Sequence, residues 1–144
     1  MKLVRFVRMR ILLCIVGFSI VGCKENPKVL EQTTDGNFTL YVNNQSPTRS
    51  PIDIELRLDG KLALTNRLHR NDDNRQQYKF QLSQGKHVMA AFSKKGQAKI
   101  EQEFFIEDNH WAVVNYYYHR TQRAVKVYPL FTFRIENNPI FSHD

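Results

Sequence analysis

The sequence predicts an all-β fold, a two-layer antiparallel β-sandwich of seven or eight strands spanning residues 37–144. Three observations carry that expectation. Apolar and polar side chains alternate with a period of two through most of this stretch, the signature of strands with one buried face. Gly36, Gly60, Gly85 and Gly96 all fall in the gaps between the alternating runs, and Pro47, Pro51, Pro129 and Pro139 fall at their edges. Many short strands separated by turn signals at this density favour two packed sheets.

Before the strands comes a leader. Lys2, Arg5, Arg8 and Arg10 precede an apolar run from Ile11 to Val21, matching the charged and apolar regions of an export signal. The run is too short for a bilayer span, which needs about 20 predominantly apolar residues. Extending it backwards would bring in arginines that each cost roughly 2.5–3.5 kcal/mol near a bilayer centre. Ile20-Val21-Gly22-Cys23 resembles the lipobox of bacterial lipoproteins. That resemblance implies removal of residues 1–22, acylation of Cys23 as the first mature residue, and a cell-envelope location. Lys24 after the cysteine, where Asp would favour inner-membrane retention, implies the periplasmic face of the outer membrane in a Gram-negative cell. Two or more acyl chains anchor stably where one does not.

Residues 23–36 read as a polar tether, with Pro27 and Thr33-Thr34 and little periodicity. The strands then follow in order. Phe38, Leu40 and Val42 mark the first, while Ile52, Ile54, Leu56 and Leu58 against Asp53, Glu55 and Arg57 mark the clearest one. A helix would smear that pattern around its circumference. Leu62 and Leu64 lead a third strand, Tyr78, Phe80 and Leu82 a fourth, Val88, Ala90 and Phe92 a fifth. Ile100, Phe104 and Ile106 give a sixth, Trp111 to Tyr118 a seventh, and Phe131, Phe133 and Ile135 an eighth, with Val125–Tyr128 as an extra piece. Asp59-Gly60 is a hairpin signal of the kind that needs positive φ at both central residues. In Lys94-Lys95-Gly96-Gln97, Gly96 is expected to supply the left-handed residue.

Composition excludes several function classes. The whole chain has a formal charge of +7, but residues 24–144 hold 17 basic and 14 acidic side chains, a net +3. Such a weak excess is a poor basis for nucleic-acid binding, which relies on a clustered basic stripe. Cys14 lies in the leader and Cys23 would be acylated, so the folded part has no thiol for a disulfide, a nucleophile or a metal. There is no G-x-S-x-G, H-E-x-x-H, P-loop or G-x-G-x-x-G motif. His69, His87, His110, His119 and His143 are dispersed and read as separate surface or loop-edge residues. Asn71-Asp72-Asp73-Asn74 lacks the ligand spacing of a calcium loop, and Glu101/Glu103 and Glu107/Asp108 read as ordinary exposed carboxylates. No catalytic residue, metal or cofactor is expected.

The segment with surplus chemistry is His110 to Arg120. As a strand it turns Ala112, Val114, Tyr116 and Tyr118 one way and Trp111, Val113, Asn115, Tyr117 and His119 the other. Two expectations follow. Either a loop such as 120–129 covers the second face, or Trp111, Tyr117 and His119 with Arg120 form an exposed ridge for a partner or a glycan, since aromatics and Arg give large contact area at low entropy cost.

Asp59-Gly60-Lys61 followed by Leu82-Ser83-Gln84-Gly85-Lys86-His87-Val88 resembles a phrasing found in some exported transthyretin-like and PEGA-like β-sandwiches. The resemblance implies architecture and carries no functional residue. Together these expectations describe a lipid-anchored, non-enzymatic binding or accessory subunit of a cell-envelope assembly, with a protein partner. A glycan-binding module is the alternative, and a hydrolase with dispersed carboxylates a further one.

Overall fold

The structure, a computed structural model, describes residues 28–70, 76–118 and 129–140. It is all-β, with eight strands: β1 (Phe38–Asn44), β2 (Ile52–Leu58), β3 (Lys61–Leu68), β4 (Gln76–Phe80), β5 (Gly85–Ser93), β6 (Ala98–Ile106), β7 (His110–Tyr117) and β8 (Leu130–Glu136). They form two four-stranded sheets, ordered β4-β1-β7-β8 and β3-β2-β5-β6. Cys23, His119, Arg120, His143, the Asn71–Asn74 segment and the extra Val125–Tyr128 piece lie outside the described residues.

The inward faces supply the core that the alternation foretold. On β2, Ile52, Ile54, Leu56 and Leu58 are buried while Asp53, Glu55 and Arg57 are not. Opposite them Phe38, Leu40 and Val42 of β1 and Ala112, Val114 and Tyr116 of β7 close the interior. Burying each Leu, Ile, Val or Phe side chain contributes roughly 1.5–3 kcal/mol, so this two-faced stripe is the main source of stability. Aromatic rings join the sheets near one edge, where Phe104 stacks on Phe38 at 5.2 Å and tilts against Phe133 at 5.5 Å.

The sandwich is not wholly antiparallel. Successive strands reverse direction, so odd-numbered strands all run one way. When β1 and β7 become neighbours they must therefore pair in parallel, Phe38 opposite His110 and Asn44 opposite Tyr116. Alternation along single strands carries no trace of this, because it reports faces and not neighbours.

The same parity gives the domain two distinct ends. The near end holds the β2–β3 turn, the Phe80–Gly85 link and the Ile106–His110 link; the far end holds residues 45–51 and the 94–97 turn between β5 and β6.

Of the segment expected as a tether, residues 23–36, the described part from Lys28 onward is fastened to the sandwich. Leu30 N–H donates to Leu62 O at 2.7 Å, Leu62 N–H to Lys28 O at 2.9 Å, and Thr33 N–H to Lys79 O at 2.9 Å. Leu30 also packs on the core. Residues 28–36 thus belong to the domain and bring the chain in at its near end. Polar composition suggested a coil, yet backbone pairing to an edge strand needs no apolar side chains.

Two turns resolve differently. Asp59 and Gly60 have φ of 51° and 73°, as the Asp-Gly signal requires. In the other turn the left-handed residue is Gln97, with φ 54°, and not Gly96. Glycine is needed at 96 for space, because a Cβ there would lie 2.6 Å from Ser93 Oγ and 2.8 Å from Tyr116 Cε2.

Candidate functional site

β7 runs through the middle of its sheet, between β1 and β8, and its two faces divide as the alternation requires. Ala112, Val114 and Tyr116 are fully buried in the core. Trp111, Val113, Asn115 and Tyr117 share the outer face with Thr39, Tyr41 and Asn43 of β1. Asn43 Nδ2 donates to Asn115 Oδ1 at 3.1 Å, tying the two strands through their side chains.

Among the described residues the centre of that outer face is nearly closed to solvent and its ends are half open. Val113 is 5 % and Tyr41 8 % exposed at its centre, and Trp111 and Tyr117 are each half-buried. Six strand positions separate the two rings, about 20 Å at 3.3 Å per residue, so no single sugar ring could stack on both. His119 and Arg120, the other members of the expected ridge, lie outside the described residues.

Two histidines expected at the surface or at loop edges are buried instead. His87 sits between two acceptors, with Nδ1 2.7 Å from Asp59 Oδ2 and Nε2 2.8 Å from Ser83 O. Both ring nitrogens thus face oxygen atoms of the protein. Burial pushes the Asp59 carboxyl up, but the hydrogen bonds from His87 and Val88 N–H, with the charges of His87 and Lys61, outweigh it and hold Asp59 below its ordinary 3.8. His110 is also buried, its Nδ1 3.1 Å from Asp108 O. Among the described residues no group of three or more His, Cys, Asp or Glu side chains is placed to hold a metal ion. Glu101 and Glu103 are exposed, and Glu103 pairs with Lys86 at 2.6 Å.

The far end carries the arrangement that sequence reasoning missed. Asp53 fastens the 94–97 turn from one side, its carboxylate accepting from Ser93 Oγ at 3.1 Å, Lys94 N–H at 3.0 Å and Lys95 N–H at 2.7 Å. Burial alone would raise the Asp53 carboxyl, and these donors bring it below 3.8. From the other side Gly96 O accepts from the Tyr116 hydroxyl at 2.9 Å and from Arg49 Nη1 at 3.1 Å. Burial raises the Tyr116 phenol above 10.0, with Arg49 opposing. The Arg49 guanidinium lies 3.8 Å over the Tyr118 ring, a cation–π contact that also fixes its direction.

A loop held from both sides is a rigid platform, and it borders a cleft. Pro51, Ile52, Asp53, Arg67, Lys94, Lys95 and Gln97 line this space of about 530 Å³. Arg67 projects from the outer face of β3, across from Lys94 and Lys95. In sequence Lys94-Lys95-Gly96-Gln97 carries only a turn signal, and Arg67 reads as an ordinary outward strand residue. Their meeting depends on strand order, which alternation does not encode.

Among the described residues no helix is long and apolar enough to cross a membrane. Compared with protein-family models, curated proteins and solved structures, the chain matches none of them.

Proposed function

We propose that the chain is a membrane-anchored lipoprotein whose β-sandwich serves as a binding or accessory subunit of a cell-envelope assembly. One observation supports this above the rest. The chain enters the sandwich at its near end, through the Lys28–Leu62 pairing, while the preorganised turn and its cleft occupy the opposite end. An acylated Cys23 would leave about five residues before Lys28, a reach of at most roughly 17 Å. The near end then lies against the bilayer and the far end is held away from it, toward whatever the subunit meets. The leader, with its basic start, short apolar run and Ile20-Val21-Gly22-Cys23, supplies the chemical basis for the anchor.

The glycan-binding alternative rested on an exposed ridge through Trp111 and Tyr117. Half-burial of both rings favours the protein-partner reading over it.

The test compares the full chain with Cys23→Ala in cells fed a clickable fatty acid, followed by membrane fractionation and crosslinking in intact envelopes. Label and membrane retention on the native chain, lost in Cys23→Ala, support the anchor. An intact mass showing an unmodified cysteine or a polypeptide starting at Met1 overturns it. A specific crosslinked protein supports the subunit role, and retention on purified polysaccharide without any crosslinked protein overturns it.

A further inference from the structure

Charge is distributed unevenly over the domain. Among the described residues the far end carries Arg49, Arg67, Arg70, Lys94 and Lys95 against one carboxylate, Asp53. That carboxylate is occupied by the turn it fastens, accepting three hydrogen bonds. The near end is mixed, with Asp35, Asp59, Glu107 and Asp108 beside Lys28, Lys61 and Lys79. Arg57, Lys86 and Arg134, which lie away from the far end, each pair with a glutamate. None of the five far-end cations is in an ion pair among the described residues.

We infer that the far-end cleft between Arg67 and the Lys94-Lys95 turn is the docking site for an acidic polypeptide segment of a partner. This rests on the binding-subunit reading above; the anchor enters only where a lipid headgroup is set aside. Three features select that occupant. The cations come from separate elements around a cleft of about 530 Å³, which is pocket-sized and suits several carboxylate side chains spaced along a chain better than one phosphate. The two flanking guanidinium groups have already given N–H donors to the protein, Arg49 to Gly96 O and Arg70 to Pro47 O at 3.0 Å. They contribute field, and leave direct contact with a ligand to Arg67, Lys94 and Lys95, which line the cleft. A lipid headgroup is disfavoured by position, because the chain enters at the opposite end. The turn is already ordered by Asp53, Tyr116 and Arg49, so a ligand meets Lys94 and Lys95 without first organising the backbone.

The test uses the full chain in detergent micelles and a fluorescein-labelled oligoglutamate peptide followed by anisotropy. Lys94→Glu with Lys95→Glu, and separately Arg67→Glu, should weaken binding at least tenfold, about 1.4 kcal/mol. Lys61→Glu and Lys79→Glu, at the near end, should change it by less than twofold. Lys94→Gln with Lys95→Gln removes charge without adding a carboxylate beside Asp53, and should weaken binding in the same direction with thermal unfolding unchanged. Binding should fall with rising salt, as expected of exposed charges. Equal losses in the near-end variants, absence of oligoglutamate binding, or equally tight binding of polyphosphate or of phosphatidylglycerol vesicles overturns the proposal. Acyl labelling of the same preparation separates the two ideas. A labelled chain that ignores oligoglutamate defeats the docking site alone, and an unlabelled chain that binds it defeats the anchor alone.

Discussion

Asp59 and His87 stand 28 residues apart in the chain and meet at 2.7 Å, carboxylate to imidazole, beneath the β2–β3 turn. The second carboxylate oxygen of Asp59 accepts the Val88 N–H at 2.9 Å, and Asp59 N–H donates to Val88 O at 2.9 Å. A turn and a distant strand start are thereby joined by side chain and backbone together. The Asp-Gly and Leu-x-x-Gly-x-His phrases of the sequence are two halves of one structural fastening.

Removing either half should be costly. His87→Ala leaves a hole beside Phe104 and strips Ser83 O and Asp59 of their partner, so a loss of about 2–4 kcal/mol is expected. Asp59→Asn keeps one acceptor and tolerates the left-handed backbone, and should cost about 1 kcal/mol; Asp59→Ala should cost more, having neither acceptor nor that tolerance. Urea unfolding of the three variants checks the order. An Asn variant as unstable as His87→Ala would contradict it.

Acid should weaken the fold through the carboxylates of Asp53 and Asp59. Both lie below 3.8 when folded, so the unfolded chain binds protons at a higher pH than the native one. The stability they contribute is complete above that ordinary value and is lost as pH falls below about 4 toward their folded values. Melting temperature measured from pH 6 to pH 2 should drop chiefly in that lower range, and Asp53→Asn should show a shallower drop. A steeper drop in Asp53→Asn would reverse the sign.

Gly96 and Gly60 should fail for different reasons. Gly96→Ala drives a methyl into Ser93 Oγ and Tyr116 Cε2, and overpacking of this kind costs about 1–3 kcal/mol. At Gly60, with φ of 73° and nothing within 4 Å of a new Cβ, the cost of alanine is conformational and about 1 kcal/mol. Only Gly96→Ala should alter the environment of Tyr116, whose hydroxyl donates to the Gly96 carbonyl. Near-ultraviolet circular dichroism of the two variants distinguishes them.

How much of this was legible in the sequence follows from what alternation encodes. The faces of β2 and β7 were readable residue by residue, since inward Ile54 and outward Glu55 are adjacent letters. The parallel β1–β7 pairing, the Asp59–His87 contact and the convergence of Arg67 on Lys94 and Lys95 were not, because each joins segments whose adjacency is set by sheet order. Gly96 was legible as a necessary glycine but not as a steric one. The atoms it avoids belong to Ser93, nearby in sequence, and Tyr116, on another sheet.

Trp111 and Tyr117 test the boundary between core and surface on the outer face of β7. Both are half-buried beside Val113 and Tyr41, which are nearly closed to solvent. Truncating Trp111 to alanine therefore removes cross-strand packing over Thr39 and beside Glu136, its register partners. About 2 kcal/mol should be lost, less than the 3–5 of a fully buried ring. For a domain of this size that lowers Tm by several degrees. Phe105, 57 % exposed on β6, is the internal control, because its truncation should stay within about 0.5 kcal/mol. Thermal unfolding of Trp111→Ala, Tyr117→Ala and Phe105→Ala decides the matter. If the first two match Phe105→Ala, the rings are free surface and an aromatic ligand site on β7 regains its footing; if they unfold early, recognition must lie elsewhere, and the cationic far end stands as the candidate.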